Sequence, residues 1–209
     1  MTRPERSPER DAAIAALLPH VPFDGWTFSA LRRGLADIGV PPEDAALLFP
    51  DGAADMIEAF CDWADRRMEE GAAALDPALR LHERVRAVIA LRLEQNRPFK
   101  EAIRRAMALL ALPVHVRLAT LCTARTVDAI WHAAGDRSAD FSWYTKRAIL
   151  TALYAATVLY WLRDSSEDAA PTLAFLDRRL AGVGRIGSVR RRVEAIAGQR
   201  LRLWNPSKA

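Results

Sequence analysis

Apolar residues recur at helical spacing along most of the chain, and few stretches show the alternating apolar and polar residues of a β-strand. Between Val127 and Ala134, for example, the apolar positions follow the i, i+3, i+4, i+7 spacing that places them on one face of a helix. Proline, glycine and polar clusters separate successive segments of this kind. The pattern therefore predicts an all-α protein.

The breaks between these helical segments give the expected organisation of the chain. We expect a disordered tail at 1–10, a helix-turn-helix-like unit at 11–71, a second helical domain at 72–183, and a hinge with a terminal helix at 184–209. The expected helices span 11–18, 28–38, 45–49, 53–71, 76–96, 98–111, 113–134, 149–162 and 170–183. Thr27 is an expected N-cap, and Gly39 is expected to end the helix that follows it.

The helix expected at 149–162 has the sequence ILTALYAATVLYWL and carries no charge. A membrane span needs about twenty apolar residues, so these fourteen are too few for a free transmembrane helix. A helix that is apolar on all sides must instead be covered by other helices, by a second subunit or by an apolar ligand.

Aromatic and small side chains occur together around this helix. They are consistent with an ordinary core, and they are also consistent with the wall of an apolar pocket. Small side chains leave room for a ligand, and the scarcity of polar catalytic groups favours storing such a ligand over transforming it. The residues predicted to contact it are Trp131, Phe141, Tyr144, Leu153, Ala156 and Tyr160.

The C-terminal segment has a basic amphipathic pattern typical of helices that lie on anionic membranes. The alternative is a terminal helix docked on the protein's own core. The apolar residues predicted to contact a membrane are Val189, Val193, Ile196, Leu203 and Trp204.

Composition narrows the class and the compartment. The 209 residues include 51% hydrophobic and 27% charged residues, which is typical of a globular protein, and the net charge is +4. Cys61 and Cys122 lie in apolar helical patterns and are expected to be reduced core residues. The N-terminus lacks the apolar stretch of a secretory signal. We therefore expect a bacterial cytoplasmic protein that is peripheral on the inner membrane.

The first seventy residues resemble the N-terminal part of TetR-family transcriptional regulators. The candidate recognition helix, PPEDAALLFPDG, has no Lys or Arg and carries Glu43, Asp44 and Asp51. These acids would repel a phosphate backbone. The sequence therefore favours a protein that does not bind nucleic acid, with a ligand-responsive regulator as the alternative.

No arrangement of residues indicates an enzyme. Asp128 and His132 lie four residues apart on a predicted helix, followed by Asp136 and Asp140, but the repeated Glu-x-x-His spacing of a di-iron bundle is missing. No metal, cofactor or catalytic residue is therefore assigned. An enzyme with an unrecognised site would have to use these four side chains.

Several fixed spacings resemble the ubiquinone-biosynthesis lipid-binding accessory family, the ninth of the COQ set. The most specific are Thr126 to Trp131, then Ala134-Gly135-Asp136, and Trp143 to Arg147. The motifs that extend the resemblance are His20 to Trp26, Leu48-Phe49-Pro50, Asn96-Arg97-Pro98, Asp164-Ser165-Ser166 and Phe175-Leu176.

The resemblance implies a TetR-like fold without DNA binding, a homodimer, and a pocket for a lipid or quinone precursor within 72–183. It also implies that the protein presents this precursor to the di-iron demethoxyubiquinone hydroxylase and is not itself a catalyst. The implied partner surface comprises Asp164, Ser165, Thr172, Leu173 and Leu176. The family usually has Trp where this chain has Leu173, so contact with the partner is expected to differ there.

Overall fold

The computed structural model describes residues 5–136 and 142–182, and within these ranges the protein is helical with no strand. The helices are α1 (Pro8–Leu17), α2 (Val21–Asp24), α3 (Phe28–Asp37), α4 (Ala45–Leu48), α5 (Ala53–Ala72), α6 (Leu81–Asn96), α7 (Lys100–Leu110), α8 (Val116–Ala133) and α9 (Ser142–Arg163). A tenth, α10, is helical through 170–182. The predicted all-α class is confirmed.

The first helix begins at Pro8, so the predicted disordered tail over 1–10 is wrong for its last residues. Ser7 caps α1 by accepting a hydrogen bond from the Arg10 backbone N–H. The buried Arg10 guanidinium donates to the Leu48 carbonyl oxygen and the Asp55 carboxylate. These contacts hold the start of the chain against α4 and α5, which a local sequence pattern does not reveal.

The α1–α3 contact depends on very close approach of the two backbones. A Cβ atom on Gly34 of α3 would lie 2.5 Å from the carbonyl oxygen of Ala16 in α1. The predicted ends of α3 are confirmed: the Thr27 hydroxyl accepts from the Ala30 N–H at 3.2 Å, and Gly39 has φ +72°. Together α1 to α4 form the N-terminal unit, which packs on α5.

Three helices start later than the sequence predicted, because a turn precedes each. The Asp76 carboxylate accepts from the Ala78 N–H at 2.8 Å in a turn, and α6 starts only at Leu81. A 3₁₀ turn, Arg97–Phe99, precedes α7, and another, Pro113–His115, precedes α8. In both turns proline occupies a first-turn position where no N–H is needed.

Helix α5 is the centre of the molecule, because it packs against α1, α6 and α8. Helix α9 lies against α6 and α8 and is longer than the apolar run at 149–162. Leu150, Leu153 and Trp161 bury one face of α9, whereas Leu159 on another face is 53% exposed. Within the described part of this single chain, α9 is therefore covered by other helices on one side only, and cover of the other side by a second subunit or a ligand stays a prediction.

No single helix among the described residues is long and apolar enough to cross a membrane. The segments Leu81–Leu110 and Pro113–Ala133 pass such a test only as a pair, and they meet at a 97° bend.

Candidate functional site

The main cavity lies between α6, α8, α9 and α10 and has a volume of about 740 Å³. Leucine, isoleucine, valine and tryptophan side chains form most of its wall. A volume of this size is within the range of small-molecule and cofactor sites. The apolar lining residues are Leu81, Val85, Trp131, Ile149, Leu150, Leu153, Leu180 and Ala181.

Charged residues border this apolar cavity. Arg86 Nε of α6 lies 2.6 Å from Asp177 Oδ1 of α10, and Lys146 Nζ of α9 lies 3.5 Å from Asp136 Oδ2. His82 also lines the cavity. An apolar chamber with a charged border suits an amphiphile, whose tail leaves water while its polar head stays near the charges.

Trp131 contributes a polar group that has no partner. Its indole Nε1 is shielded from solvent and donates no hydrogen bond to any acceptor in the described residues. Buried N–H groups are nearly always paired, so an unpaired one at the wall of a cavity is unusual.

A second recess, of about 600 Å³, lies between α9 and the start of α10. Ala156 and Tyr160 line this recess and do not line the main cavity. The Tyr160 ring stacks on Phe175 with 4.7 Å between ring centroids. The structure therefore divides the predicted lipid-binding set between two places: Trp131 and Leu153 lie at the main cavity, and Ala156 and Tyr160 lie at the second recess.

The remaining residues of the predicted lipid-binding set are Tyr144 and Phe141. Tyr144 is 73% exposed and lines neither cavity. Phe141 lies outside the described residues, as do the predicted membrane contacts Val189, Val193, Ile196, Leu203 and Trp204. The lipid-binding and membrane roles of all these residues stay predictions.

The predicted partner surface is partly inside the protein. Thr172 and Leu176 are completely buried, so their side chains cannot contact another protein, and this part of the prediction is wrong. The Thr172 hydroxyl donates to Asp164 at 2.5 Å, and this bond is the main cause that lowers the pKa of Asp164 to about 2. Ser165 is exposed, and Asp164 and Leu173 are partly exposed. Asp164 thus stabilises the start of α10, a role the sequence did not indicate.

A buried polar network, missed from the sequence, joins the helices around the cavity. Arg92 Nη1 of α6 lies 2.6 Å from Asp65 Oδ1 of α5, and Arg92 Nε donates to the Tyr154 hydroxyl of α9 at 2.8 Å. Thr126 of α8 donates to Asp65 at 2.9 Å. Burial raises the pKa of Asp65 to about 6, although the Arg92 charge opposes this shift. The signal in the sequence that could have revealed this network is the position of Arg92 within the apolar stripe of α6.

Of the four side chains considered for a metal or an unrecognised catalytic site, two form ion pairs, and Asp140 lies outside the described residues. Asp128 pairs with Arg147, and Asp136 pairs with Lys146. Among residues 5–136 and 142–182 no group of three His, Cys, Asp or Glu side chains is placed to hold a metal ion. Cys61 and Cys122 are free thiols, of which Cys122 is buried.

Comparison with known proteins gives the relatives of this chain. Residues 116–187 match the family model described as COQ9. Ubiquinone biosynthesis protein COQ9 of Rattus norvegicus is 31% identical over 190 residues, covering 87% of this chain and 61% of the relative. The Homo sapiens protein of that name is also 31% identical, with 87% and 59% covered. The chain thus spans about three-fifths of the length of these relatives.

The fold has a solved counterpart. The crystal structure of a TetR transcriptional regulator from Nitrosomonas europaea superposes with a TM-score of 0.66 at 25% identity. The match covers 84% of this chain and 97% of the regulator. The predicted TetR-like fold is confirmed.

The comparisons contradict the expected location. The rat, human and cattle relatives are all named as mitochondrial proteins, so the expectation of a bacterial cytoplasmic protein is wrong. That expectation used the composition of the first residues, which does not determine a compartment.

Proposed function

Because residues 116–187 match the COQ9 family model and the rat COQ9 protein is 31% identical over 190 residues, we propose that the chain belongs to this family. It would act in ubiquinone biosynthesis as a non-catalytic accessory protein that binds a polyprenyl quinone precursor or a phospholipid. The observation that supports this most is the 740 Å³ apolar cavity between α6, α8, α9 and α10. Its walls offer aliphatic and aromatic surface and no arrangement of side chains that resembles a catalytic site.

Binding would be driven by desolvation of the isoprenoid or acyl tail. Each CH₂ group kept out of water is stabilised by about 0.8 kcal/mol, in the cavity as in the bilayer, so a tail that fills the cavity can exchange between the two at little cost. The polar head would remain at the charged border near Arg86 and Lys146.

The proposal includes delivery of the bound molecule to a di-iron demethoxyubiquinone hydroxylase. The accessible residues of the predicted partner surface, Asp164, Ser165 and Leu173, remain candidates for this contact. The exposed face of α9, with Leu159 and Tyr160, is a candidate for homodimer contact because water otherwise meets large apolar side chains there. The predicted terminal helix at 184–209 is proposed to rest on an anionic membrane.

Lipid extraction from two matched variants of α9 tests the carrier function. Leu153→Trp places a larger side chain in the main cavity and reduces its free volume. Ala156→Trp does the same in the second recess, three residues further along the same helix. Each protein is purified gently, its organic extract is analysed by mass spectrometry, and its folding is checked by circular dichroism. We expect about one lipid per subunit in the parent and in Ala156→Trp, and much less in folded Leu153→Trp.

The contrary outcomes are clear. An empty parent protein would contradict the carrier function. A loss of lipid in Ala156→Trp alone would move the ligand to the second recess.

A ligand-responsive regulator is the second candidate, because the fold matches a transcriptional regulator. Helix α4, in the position of a recognition helix, has only the four residues Ala45–Leu48. Glu43 and Asp44 precede it directly, residues 34–65 contain no Lys or Arg, and Arg10, which donates to Leu48, is buried. The electrostatics therefore favour the lipid carrier.

A further inference from the structure

Large apolar side chains are exposed where α7 turns into α8. The segment 111–117, here called the α7–α8 tip, has the sequence ALPVHVR, and all its residues except the half-buried His115 are exposed. Leu112 is 47%, Val114 79% and Val116 63% exposed. The 3₁₀ turn Pro113–His115 packs against α7 and α8, the two helices that it joins. The apolar side chains thus protrude at a corner of the molecule.

The arginines near this corner differ in whether an acid neutralises them: Arg104 and Arg105 pair with Glu101, and Arg125 pairs with Glu58. Residues 102–127 contain no Asp or Glu, and they include Arg104, Arg105, Arg117, Arg125 and one histidine. Arg117 is exposed and belongs to the tip itself. Elsewhere in the chain acids and bases are mixed, with 26 acidic residues in total. Among the described residues no acid pairs with Arg117, so the tip presents an exposed cation beside its apolar side chains and is complementary to an anionic apolar partner.

We propose that the α7–α8 tip inserts into the interface of an anionic lipid bilayer. Leu112, Val114 and Val116 would enter the acyl boundary, while Arg117 contacts a lipid phosphate. The turn exposes three large apolar groups within five residues, so insertion removes them from water without unfolding either helix. Because α7 and α8 hold the turn in place, insertion of the tip would also fix the orientation of the protein on the membrane.

This inference rests on the proposed function in placing the protein at a bilayer, but it concerns a different part of the chain from the predicted terminal helix. If the tip does not bind vesicles, lipid can still be found in the cavity. If the cavity is empty, the tip can still bind vesicles. The two results are therefore distinguishable.

Vesicle binding of full-length variants tests the tip. Val114→Glu combined with Val116→Glu places two carboxylates on the tip, and Leu47→Glu is the matched control because Leu47 is an 80% exposed apolar residue of α4. Binding is measured by flotation with phosphatidylcholine vesicles, with and without phosphatidylserine. We expect the tip variant to bind the phosphatidylserine vesicles at least about ten-fold more weakly than the parent, and Leu47→Glu to bind as the parent does. Equal binding by the tip variant, or no binding by the parent, would overturn the proposal.

A labelling experiment identifies what covers the tip. Val114→Cys and Leu47→Cys are treated with a maleimide, and the parent gives the background from its own two thiols. We expect both variants to react quickly in solution, and only Val114→Cys to be protected by anionic vesicles. Slow labelling of Val114→Cys without vesicles would overturn the proposal, because the terminal segment or a second copy of the chain would then cover the tip. If Val114→Cys binds the anionic vesicles and still reacts with the maleimide as quickly as in solution, the proposal is overturned as well, because the membrane contact would then lie elsewhere.

Discussion

Replacing Arg92 by methionine would show how strongly the buried network holds the cavity walls together. The guanidinium joins α6 to Asp65 of α5 and Tyr154 of α9, and both Arg92 and Asp65 are almost completely buried. Removal of one partner of a buried ion pair leaves the other charge without compensation and costs about 3–5 kcal/mol. We expect Arg92→Met to lower the free energy of unfolding by about that amount at neutral pH.

The pH dependence of this loss follows from Asp65. Burial raises the pKa of Asp65 from 3.8 to about 6 in the folded protein. The unfolded chain therefore loses its proton first, and stability falls as pH rises from about 4 to 6, by about 3 kcal/mol in total. Without Arg92 the folded pKa rises further, so the fall extends to higher pH. The difference between parent and variant should be smallest near about pH 4 and largest near about pH 8.

Urea denaturation followed by circular dichroism, repeated over this pH range, measures both effects. Arg86→Met is the matched control on the same helix: it breaks the exposed pair with Asp177 and should cost less than about 1 kcal/mol. The double variant Asp65→Asn, Arg92→Met should lose most of the pH dependence. A loss below about 1 kcal/mol in Arg92→Met, or a loss equal at all pH values, would refute the reasoning.

Three further predictions concern other parts of the chain. Gly34→Ala places a Cβ 2.5 Å from the Ala16 carbonyl oxygen and should lower the free energy of unfolding by about 1–3 kcal/mol in thermal melts; an unchanged melting temperature would contradict the close α1–α3 contact. The Thr172 hydroxyl lowers the pKa of Asp164 to about 2, so the stability it gives is present above about pH 4 and is lost as pH falls to about 2. Parent and Asp164→Asn should therefore differ in melting temperature at neutral pH and converge in acid, and a constant difference would be the contrary result. The acids before α4 predict no gel shift of DNA fragments even at low salt, and a salt-sensitive shift would favour the regulator.

The TetR-like fold does not decide between a lipid carrier and a transcriptional regulator. The fold matches a transcriptional regulator, and a fold by itself does not determine function. The features that separate the two candidate functions are local: an acidic, very short α4 at one end of the molecule and an apolar cavity with a charged border at the other. Single substitutions can alter either feature without the other, so DNA binding and lipid binding can be tested separately.

The sequence by itself determined the helical class and many helix ends. Periodicity and capping are local, so Thr27 and Gly39 could be assigned to the ends of α3 from the chain alone. It also predicted a ligand pocket beside α9, and ligand binding there stays a prediction. The start of α1 at Pro8 also has a local signal, the Ser7 N-cap followed by proline at the first helical position, which the predicted start at residue 11 overlooked.

Only the tertiary structure decided which side chains share a cavity. Leu153 and Ala156 are three residues apart on α9, yet they line different cavities because different helices pack on either side. The burial of Thr172 and the pairing of Arg92 with Asp65 were equally invisible in the sequence. Periodicity fixes which residues share a face of one helix, whereas the neighbour that meets this face is set by helix packing between residues far apart in the chain.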